Sequence, residues 1–322
     1  MRLLIVKTSS LGDVIHNLPV IADIRSHFPE VQIDWLVEEN FADIPRLHPG
    51  VNNVITVAAR RWRKQLFSKS TWAEIAACRR TLRSSNYSLV LDTQGLLKSA
   101  IFASFADSMT HGQDRQSARE PLAALFYRYQ HAIPRGTHAV FRNRQLAAAA
   151  LGYPMPDTAP GYGLHAGMQQ AGQQPFNSAN PYVIGLHGTS RDAKLWPVEC
   201  WVALGNHLTS RQISLILPWG NDAEYQRAQA IAASVPLAMV LPKLGIKELS
   251  SIFAGALAAV GVDTGLAHLA VALRLPTIAI YTDTDPVLTG LYPEAGIPAV
   301  NLGGRNASPT PELVIENLNP FL

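Results

Sequence analysis

The sequence predicts an α/β protein made of two doubly wound, Rossmann-like domains facing each other across a cleft. Three observations carry the prediction. At 322 residues the chain is too long for one ordinary α/β unit and suits two domains of typical size. Short apolar runs alternate with amphipathic stretches, the pattern of βαβ units and mainly parallel sheets. The alternation breaks over residues 153–181, which are rich in Pro, Gly, Gln, Asn and Ala, and then restarts. We therefore expect a first domain at 1–165, a linker at 166–180 and a second domain at 181–322.

In the first half, apolar runs predict strands at 2–7, 32–38, 54–58 and 88–92, and helical periodicity predicts helices at 14–27, 73–83, 96–106 and 138–151. In the second half, strands are expected at 182–187, 213–217, 238–241, 258–262 and 277–281. Helices are expected between them at 198–209, 222–233, 246–256 and 264–273, with a last short helix at 311–318. Doubly wound halves bind ligands outside the carboxyl ends of their strands, so turns at those ends are the places to look for chemistry.

Composition narrows the function. Hydrophobic residues make up 48% and charged residues 16%, a globular composition with ample core. The start, with Lys7 interrupting a short apolar run, does not read as a secretory signal, and no run approaches the roughly 18 apolar residues of a membrane span. Cys78 and Cys200 lie far apart without metal-ligand spacing, which fits a reducing, cytoplasmic compartment. Net charge is +3 but unevenly spread. Residues 1–160 carry 19 Lys and Arg against 13 Asp and Glu, and the remainder carries 8 against 11. Either the first half meets an anion, or these are solvated charges placed by chance.

Four constellations carry chemistry. Thr8-Ser9-Ser10-Leu11-Gly12-Asp13 follows the first strand. One glycine there makes a dinucleotide-binding reading weak, and leaves Asp13 as a carboxylate at a strand's carboxyl end. It is either a helix N-cap or a base, and a capping interaction would stabilise the ionised form a base needs. Gly261-Val262-Asp263-Thr264-Gly265-Leu266-Ala267-His268 closes a strand and opens a helix, where backbone N–H groups and a glycine suit a diphosphate. An ordinary helix start is the plainer reading. Between the first strand and helix of the second half, Thr189, Ser190 and Lys194 offer hydroxyls and a point charge to phosphate oxygens. Glu224, beyond Leu217-Pro218-Trp219-Gly220, is either a ribose acceptor or a first-turn charge.

Fourth, Arg60-Arg61-Trp62-Arg63-Lys64 leads to Phe67, Lys69 and Trp72, then Arg79, Arg80 and Arg83. Nucleic-acid binding, membrane-surface contact and a solvated basic face are all open, although modest total charge and the lack of a recognisable module speak against nucleic acid. Asp92-Thr93-Gln94-Gly95-Leu96-Leu97-Lys98 is a further helix start with a lysine. Thr282-Asp283-Thr284-Asp285 contains an Asp-x-Asp, but two aspartates are too few to hold a hard cation without substrate phosphates. We read it as a loop and expect no metal.

Together these segments resemble the ADP-heptose:lipopolysaccharide heptosyltransferase family. The likeness rests on Lys7-Thr8-Ser9-Ser10-Leu11-Gly12-Asp13, Gln94-Gly95-Leu96-Leu97-Lys98-Ser99-Ala100, Arg191-Asp192 with Lys194 and Trp196-Pro197, Leu217-Pro218-Trp219-Gly220, and Asp263-Thr264-Gly265-Leu266 with His268. Arg60-Arg61-Trp62-Arg63-Lys64 and Ala118-Arg119-Glu120-Pro121-Leu122 point to the branch adding the first heptose, heptosyltransferase I.

The resemblance implies a GT-B fold and an inverting, metal-independent glycosyltransferase. The donor would be ADP-L-glycero-D-manno-heptose, with no cofactor, and the acceptor the Kdo of Kdo-lipid A. Addition of a later core heptose, or a non-catalytic sugar-nucleotide binder, are the alternatives. Asp13 would be the general base, with Lys194 stabilising the leaving ADP. Thr189, Ser190, Lys194, Glu224, Leu244, Asp263, Thr264, Gly265 and His268 would bind the donor. Ser10, Gly12, Arg60, Arg61, Arg63, Lys64, Gln94, Lys98 and Arg119 would face the acceptor. The resemblance further implies a monomer on the cytoplasmic face of the inner membrane that binds no nucleic acid.

Overall fold

The computed structural model describes residues 1–164 and 179–322, and divides the chain into two units, Met1–Gly163 and Leu164–Leu322. The expected linker lies outside the described residues, except for its last two positions.

The first unit holds a six-stranded parallel sheet in the order β3-β2-β1-β4-β5-β6. Its strands are β1 (Arg2–Val6), β2 (Gln32–Glu38), β3 (Asn53–Val57), β4 (Leu89–Asp92), β5 (Thr110–Gln113) and β6 (Tyr129–His131). β1 lies centrally, with Leu3–Val6 fully buried, because helices cover both faces of a parallel sheet. The second unit repeats the plan in the order β12-β11-β10-β7-β8-β9. These strands are β7 (Tyr182–Leu186), β8 (Ser214–Leu217), β9 (Ala238–Val240), β10 (Ala258–Val262), β11 (Thr277–Tyr281) and β12 (Ala299–Gly303). In both units the strand order reverses beside the first strand, at β1/β4 and at β7/β10. Crevices at such points are where doubly wound sheets take ligands.

The apolar runs all became strands, but the polar ones were not legible. β5, β6 and β12 escape a reading by hydrophobicity because Thr-His-Gly-Gln, Tyr-Gln-His and Ala-Val-Asn-Leu-Gly hold too few apolar residues. The helix expected at 14–27 is two helices, α1 (Leu11–Ile15) and α2 (Pro19–His27). Pro19 has no N–H to continue the ladder from α1, and its fixed φ suits the first position of α2 instead. The basic segment is itself a helix, α4 (Ala59–Lys64), after the short α3 (Asp43–Leu47). α5 (Lys69–Ser84) begins earlier than its periodicity suggested. α6 (Leu97–Ser104) follows β4, and α7 (Ala139–Leu151) closes the unit. Arg144 of α7 grips Asp23 of α2 in a buried bidentate pair at 2.7 and 2.9 Å, which ties α7 to α2.

In the second unit α8 (Val198–Ser210), α9 (Asp222–Ala232), α10 (Ile246–Ala254) and α11 (Gly265–Ala272) alternate with the strands. The short α12 (Pro286–Thr289) and α13 (Pro311–Leu318) complete it. Trp196, Trp201, Leu204 and Leu208 pack on Val183, Leu215 and Val260 to form its core.

Candidate functional site

At the β1/β4 point, the loop after β1 is bound tightly to the loop after β4. Gln94 accepts two backbone N–H bonds through Oε1, from Thr8 at 3.0 Å and Ser9 at 3.1 Å. Lys7 is buried; its Nζ donates to the Thr93 carbonyl at 2.9 Å and to Asn143 Oδ1 at 3.4 Å. Burial pulls its ammonium below the ordinary lysine range, and the charges of Asp13 and Asp92 oppose that shift. Asp92 is buried too, so its carboxyl is pushed up. Tyr127 Oη donates to it at 2.8 Å and the Gln94 N–H at 2.8 Å, which offsets part of the cost.

On this platform sits Asp13. It is not the N-cap residue itself but the third-residue member of a capping box. Ser10 is the N-cap, and Asp13 is the third helical residue, reaching back to take the Ser10 N–H at 2.9 Å and the Ser10 hydroxyl at 3.1 Å. Both bonds end on Oδ2. Among the described residues Oδ1 has no hydrogen-bond partner, which leaves it open to a ligand. Gly12 is half-buried beside it and Ser10 is exposed.

Lys98, half-buried at the start of α6, donates to Ser9 Oγ at 3.0 Å. Burial lowers its ammonium; Glu38 and Glu120 oppose the shift, while Arg60 and Arg63 reinforce it. Gly95 adopts φ +67°, where a Cβ would come within 2.9 Å of Gln113 Oε1, so only glycine suits this turn. The turn seats the Ala118-Arg119-Glu120 segment: Glu120 N–H donates to the Gly95 carbonyl, and Glu120 Oε2 accepts from Leu97 N–H at 2.6 Å, while Arg119 stays exposed. Glu120 and Tyr127 were not legible as site residues, since their roles depend on partners 23 and 35 positions away.

The basic helix divides its cations. Arg61 turns to Glu74, at 3.0 and 2.9 Å, and to Glu39, at 3.4 and 3.3 Å, so the expectation that it faces a ligand meets a competing structural role. Arg60 lies over the Phe41 ring at 5.2 Å, and its N–H donates to Glu38 Oε1 at 3.0 Å. Arg63 and Lys64 are exposed. A hollow of about 340 Å³ lies among Glu38, Glu39, Arg60, Arg61 and Lys64.

At the β7/β10 point, the second unit assembles a polar cradle. Lys194 Nζ donates to Asp263 Oδ2 at 2.5 Å, and Thr284 Oγ1 donates to the same oxygen at 2.7 Å. Thr189 Oγ1 donates to the Asp263 carbonyl at 3.1 Å. An ammonium has three N–H donors, so fixing one on Asp263 leaves two for a ligand. Thr264 is the N-cap of α11, and Gly265 opens it with backbone N–H groups toward the same crevice. His268 is buried on the first turn of α11, while Ser190 is exposed and Leu244 half-buried after β9.

Glu224 takes the Gly220 N–H at 2.7 Å, and a Cβ on Gly188 would lie 2.7 Å from its carboxyl carbon. The loops after β7 and β8 therefore meet through it. The Asp-x-Asp stretch is tied into its surroundings at each residue. Asp285 caps α12 by accepting the Val287 N–H, Asp283 lies 3.8 Å from Arg191, and Thr284 between them reaches the cradle. Thr284 was missed because its stretch read as a loop.

Comparison with known proteins agrees with this architecture. The family model Glycosyltransferase family 9 (heptosyltransferase) matches residues 75–319. Lipopolysaccharide heptosyltransferase 1 of Pseudomonas aeruginosa is 46% identical over 304 residues, covering 94% of this chain and 84% of that protein. Lipopolysaccharide heptosyltransferase 3 of Escherichia coli K12 is only 22% identical over 292 residues, covering 86% of this chain and 81% of that protein. The structure of E. coli heptosyltransferase WaaC with ADP superimposes with a TM-score of 0.92 at 42% identity, each chain covered completely. The same enzyme with ADP-2-deoxy-2-fluoro heptose gives 0.89 at 40%, again with complete coverage. The fold is thus of the GT-B type, and the chain belongs to glycosyltransferase family 9, as a heptosyltransferase nearer in sequence to heptosyltransferase 1 than to heptosyltransferase 3.

Proposed function

We propose that this enzyme transfers L-glycero-D-manno-heptose from ADP-heptose to the Kdo of Kdo-lipid A, with inversion and without a metal ion. The observation that carries the reading is the cradle of Lys194, Asp263, Thr189 and the α11 N-terminus, in a chain 42% identical to a heptosyltransferase structure with ADP. Residues 181–322 would hold the donor and residues 1–165 the acceptor. In the reaction, Asp13 Oδ1 takes the proton of the acceptor hydroxyl. The hydroxyl oxygen forms a bond to the anomeric carbon as the bond from that carbon to the diphosphate oxygen breaks. ADP leaves with the electron pair, and Lys194 and the α11 N–H groups neutralise its growing charge. A single displacement inverts the anomeric centre. The test is incubation with ADP-heptose and Kdo-lipid A: the lipid should gain the mass of one heptosyl residue. Gain only on a lipid already bearing heptose would assign a later step instead.

Turnover should survive exhaustive chelation, since on this reading Lys194 and the α11 N-terminus supply the charge that a metal ion would, and Asp285 already accepts the Val287 N–H. Loss of activity in EDTA with recovery in Mg²⁺ would contradict this.

The exposed cations of α4 should serve the acceptor, which carries carboxylates and phosphates. Neutralising Arg60, Arg63 and Lys64 together should raise KM for Kdo-lipid A by at least about tenfold, given ~1 kcal/mol per cation near an anionic surface. KM for ADP-heptose should hardly move, and rising salt should mimic the variant. A rise confined to the donor would refute the assignment. Arg61→Ala should act mainly by loosening α4 from α5, because its guanidinium already serves Glu39 and Glu74.

A further inference from the structure

Three apolar residues that the first unit leaves in solvent lie within seven positions of one another. Leu66 is 51% exposed, Phe67 103% and Trp72 59%. They form one knob where the α4–α5 loop enters α5. Ser68 N–H donates to the Gln65 carbonyl at 3.0 Å, which folds the loop back, and Trp72 Nε1 donates to the Leu66 carbonyl at 2.8 Å. That bond uses the indole's one polar group, so the ring surface left outside is apolar. The base of the knob is tied down, since Trp62 is buried, donates to Glu74 Oε2 at 2.7 Å and meets Phe102 edge-on. Phe67 therefore projects from an anchored base, uncovered.

Its surroundings are strongly cationic. Residues 59–83 carry eight Lys and Arg and one acid, Glu74, which Arg61 already pairs. Lys69 and Arg80 are exposed on α5. An exposed apolar tip in a cation-rich segment matches an anionic bilayer, whose headgroup boundary takes aromatic and aliphatic side chains while its phosphates take the cations. A single-stranded nucleic acid would call for stacking faces along a groove, which a projecting Leu-Phe tip does not offer. Among the described residues no helix is long and apolar enough to cross a membrane, so a contact made here would be a surface one.

We infer that this knob is a membrane anchor, with Leu66, Phe67 and Trp72 entering an anionic bilayer and Lys69 and Arg80 lying against lipid phosphates. This contact is with bulk lipid and does not depend on which glycolipid is the acceptor. The full-length protein is incubated with phosphatidylglycerol–phosphatidylethanolamine vesicles that contain no acceptor, and bound protein is sedimented. We expect binding, and at least about a tenfold loss of affinity in the Leu66→Ser/Phe67→Ser double variant, whose circular dichroism is unchanged. Brominated lipid should quench the fluorescence of the wild type more than that of Trp72→Phe, because Trp72 is the exposed tryptophan among the described residues. Turnover of a deacylated, water-soluble acceptor should be equal in wild type and double variant. Equal vesicle binding by both proteins would overturn the anchor, and so would binding that appears only when the vesicles contain the acceptor glycolipid. If neither protein turns over the soluble acceptor, the proposed reaction fails, while the acceptor-free vesicles still decide the anchor.

Discussion

Replacing Asp13 with alanine should cut heptose transfer by ~10²–10⁴-fold, the usual size of a lost general base, while ADP-heptose still binds. On the proposed mechanism the residue would have two separable roles. Its Oδ2 holds the Ser10 N–H and hydroxyl, and its Oδ1 is the oxygen left for a proton. Loss of the holding role alone would cost roughly 0.5–2 kcal/mol of local stability, as capping substitutions do. Asp13→Asn separates the two, because its amide oxygen can still accept from Ser10 but cannot act as a base at neutral pH. Both variants should therefore be nearly inactive, with Asp13→Asn the more stable of the two in thermal melts. Donor affinity, measured by calorimetry with ADP-heptose, should stay near wild type in both, since the donor cradle is built from the other unit. An Asp13→Asn enzyme with near-normal kcat would show that the carboxylate only shapes the loop.

The second large effect is expected at Lys194. Lys194→Ala should lower kcat by ~10²–10³-fold, the range seen when a group stabilising transition-state charge is removed. It should also weaken ADP-heptose binding, because the substitution leaves Asp263 with Thr284 as its remaining side-chain donor and sets an uncompensated carboxylate beside the diphosphate. Asp263→Asn should act in the same direction but more weakly, since it frees the ammonium from its holder without removing it. Steady-state kinetics with varied donor check both. If Lys194→Ala raises KM for the donor and leaves kcat untouched, the lysine binds donor and transition state equally and does not assist departure of ADP.

Much of this protein was legible in its residues. The apolar runs that became β1, β7, β10 and β11 are buried on both faces, so they had to be nearly continuous, and continuity is what a reader can see. The turns after them stood out because small, hydroxyl and charged residues followed apolar ones, and the family resemblance that those turns carried is borne out by the family model. Polar strands gave no such signal. The α4 helix did not either, because Trp62 is its one buried residue and four of its six residues are basic.

What the sequence by itself determined is where the apolar strands lie, which of the long segments become helices, and which family the chain belongs to. These follow from short-range patterns of burial and charge. Only the tertiary structure decided which of those residues act together. A parallel sheet brings into one crevice groups that are remote along the chain. Thus Lys194 reaches Asp263 across 69 positions, and Lys7 meets the loop after β4 across 86. It also decided which charges are already committed, as Arg61 is to Glu39 and Glu74, and which oxygen of Asp13 remains open. Hydrogen bonds and ion pairs depend on distances of a few ångströms, and no spacing in the sequence encodes those until the strands have been laid side by side.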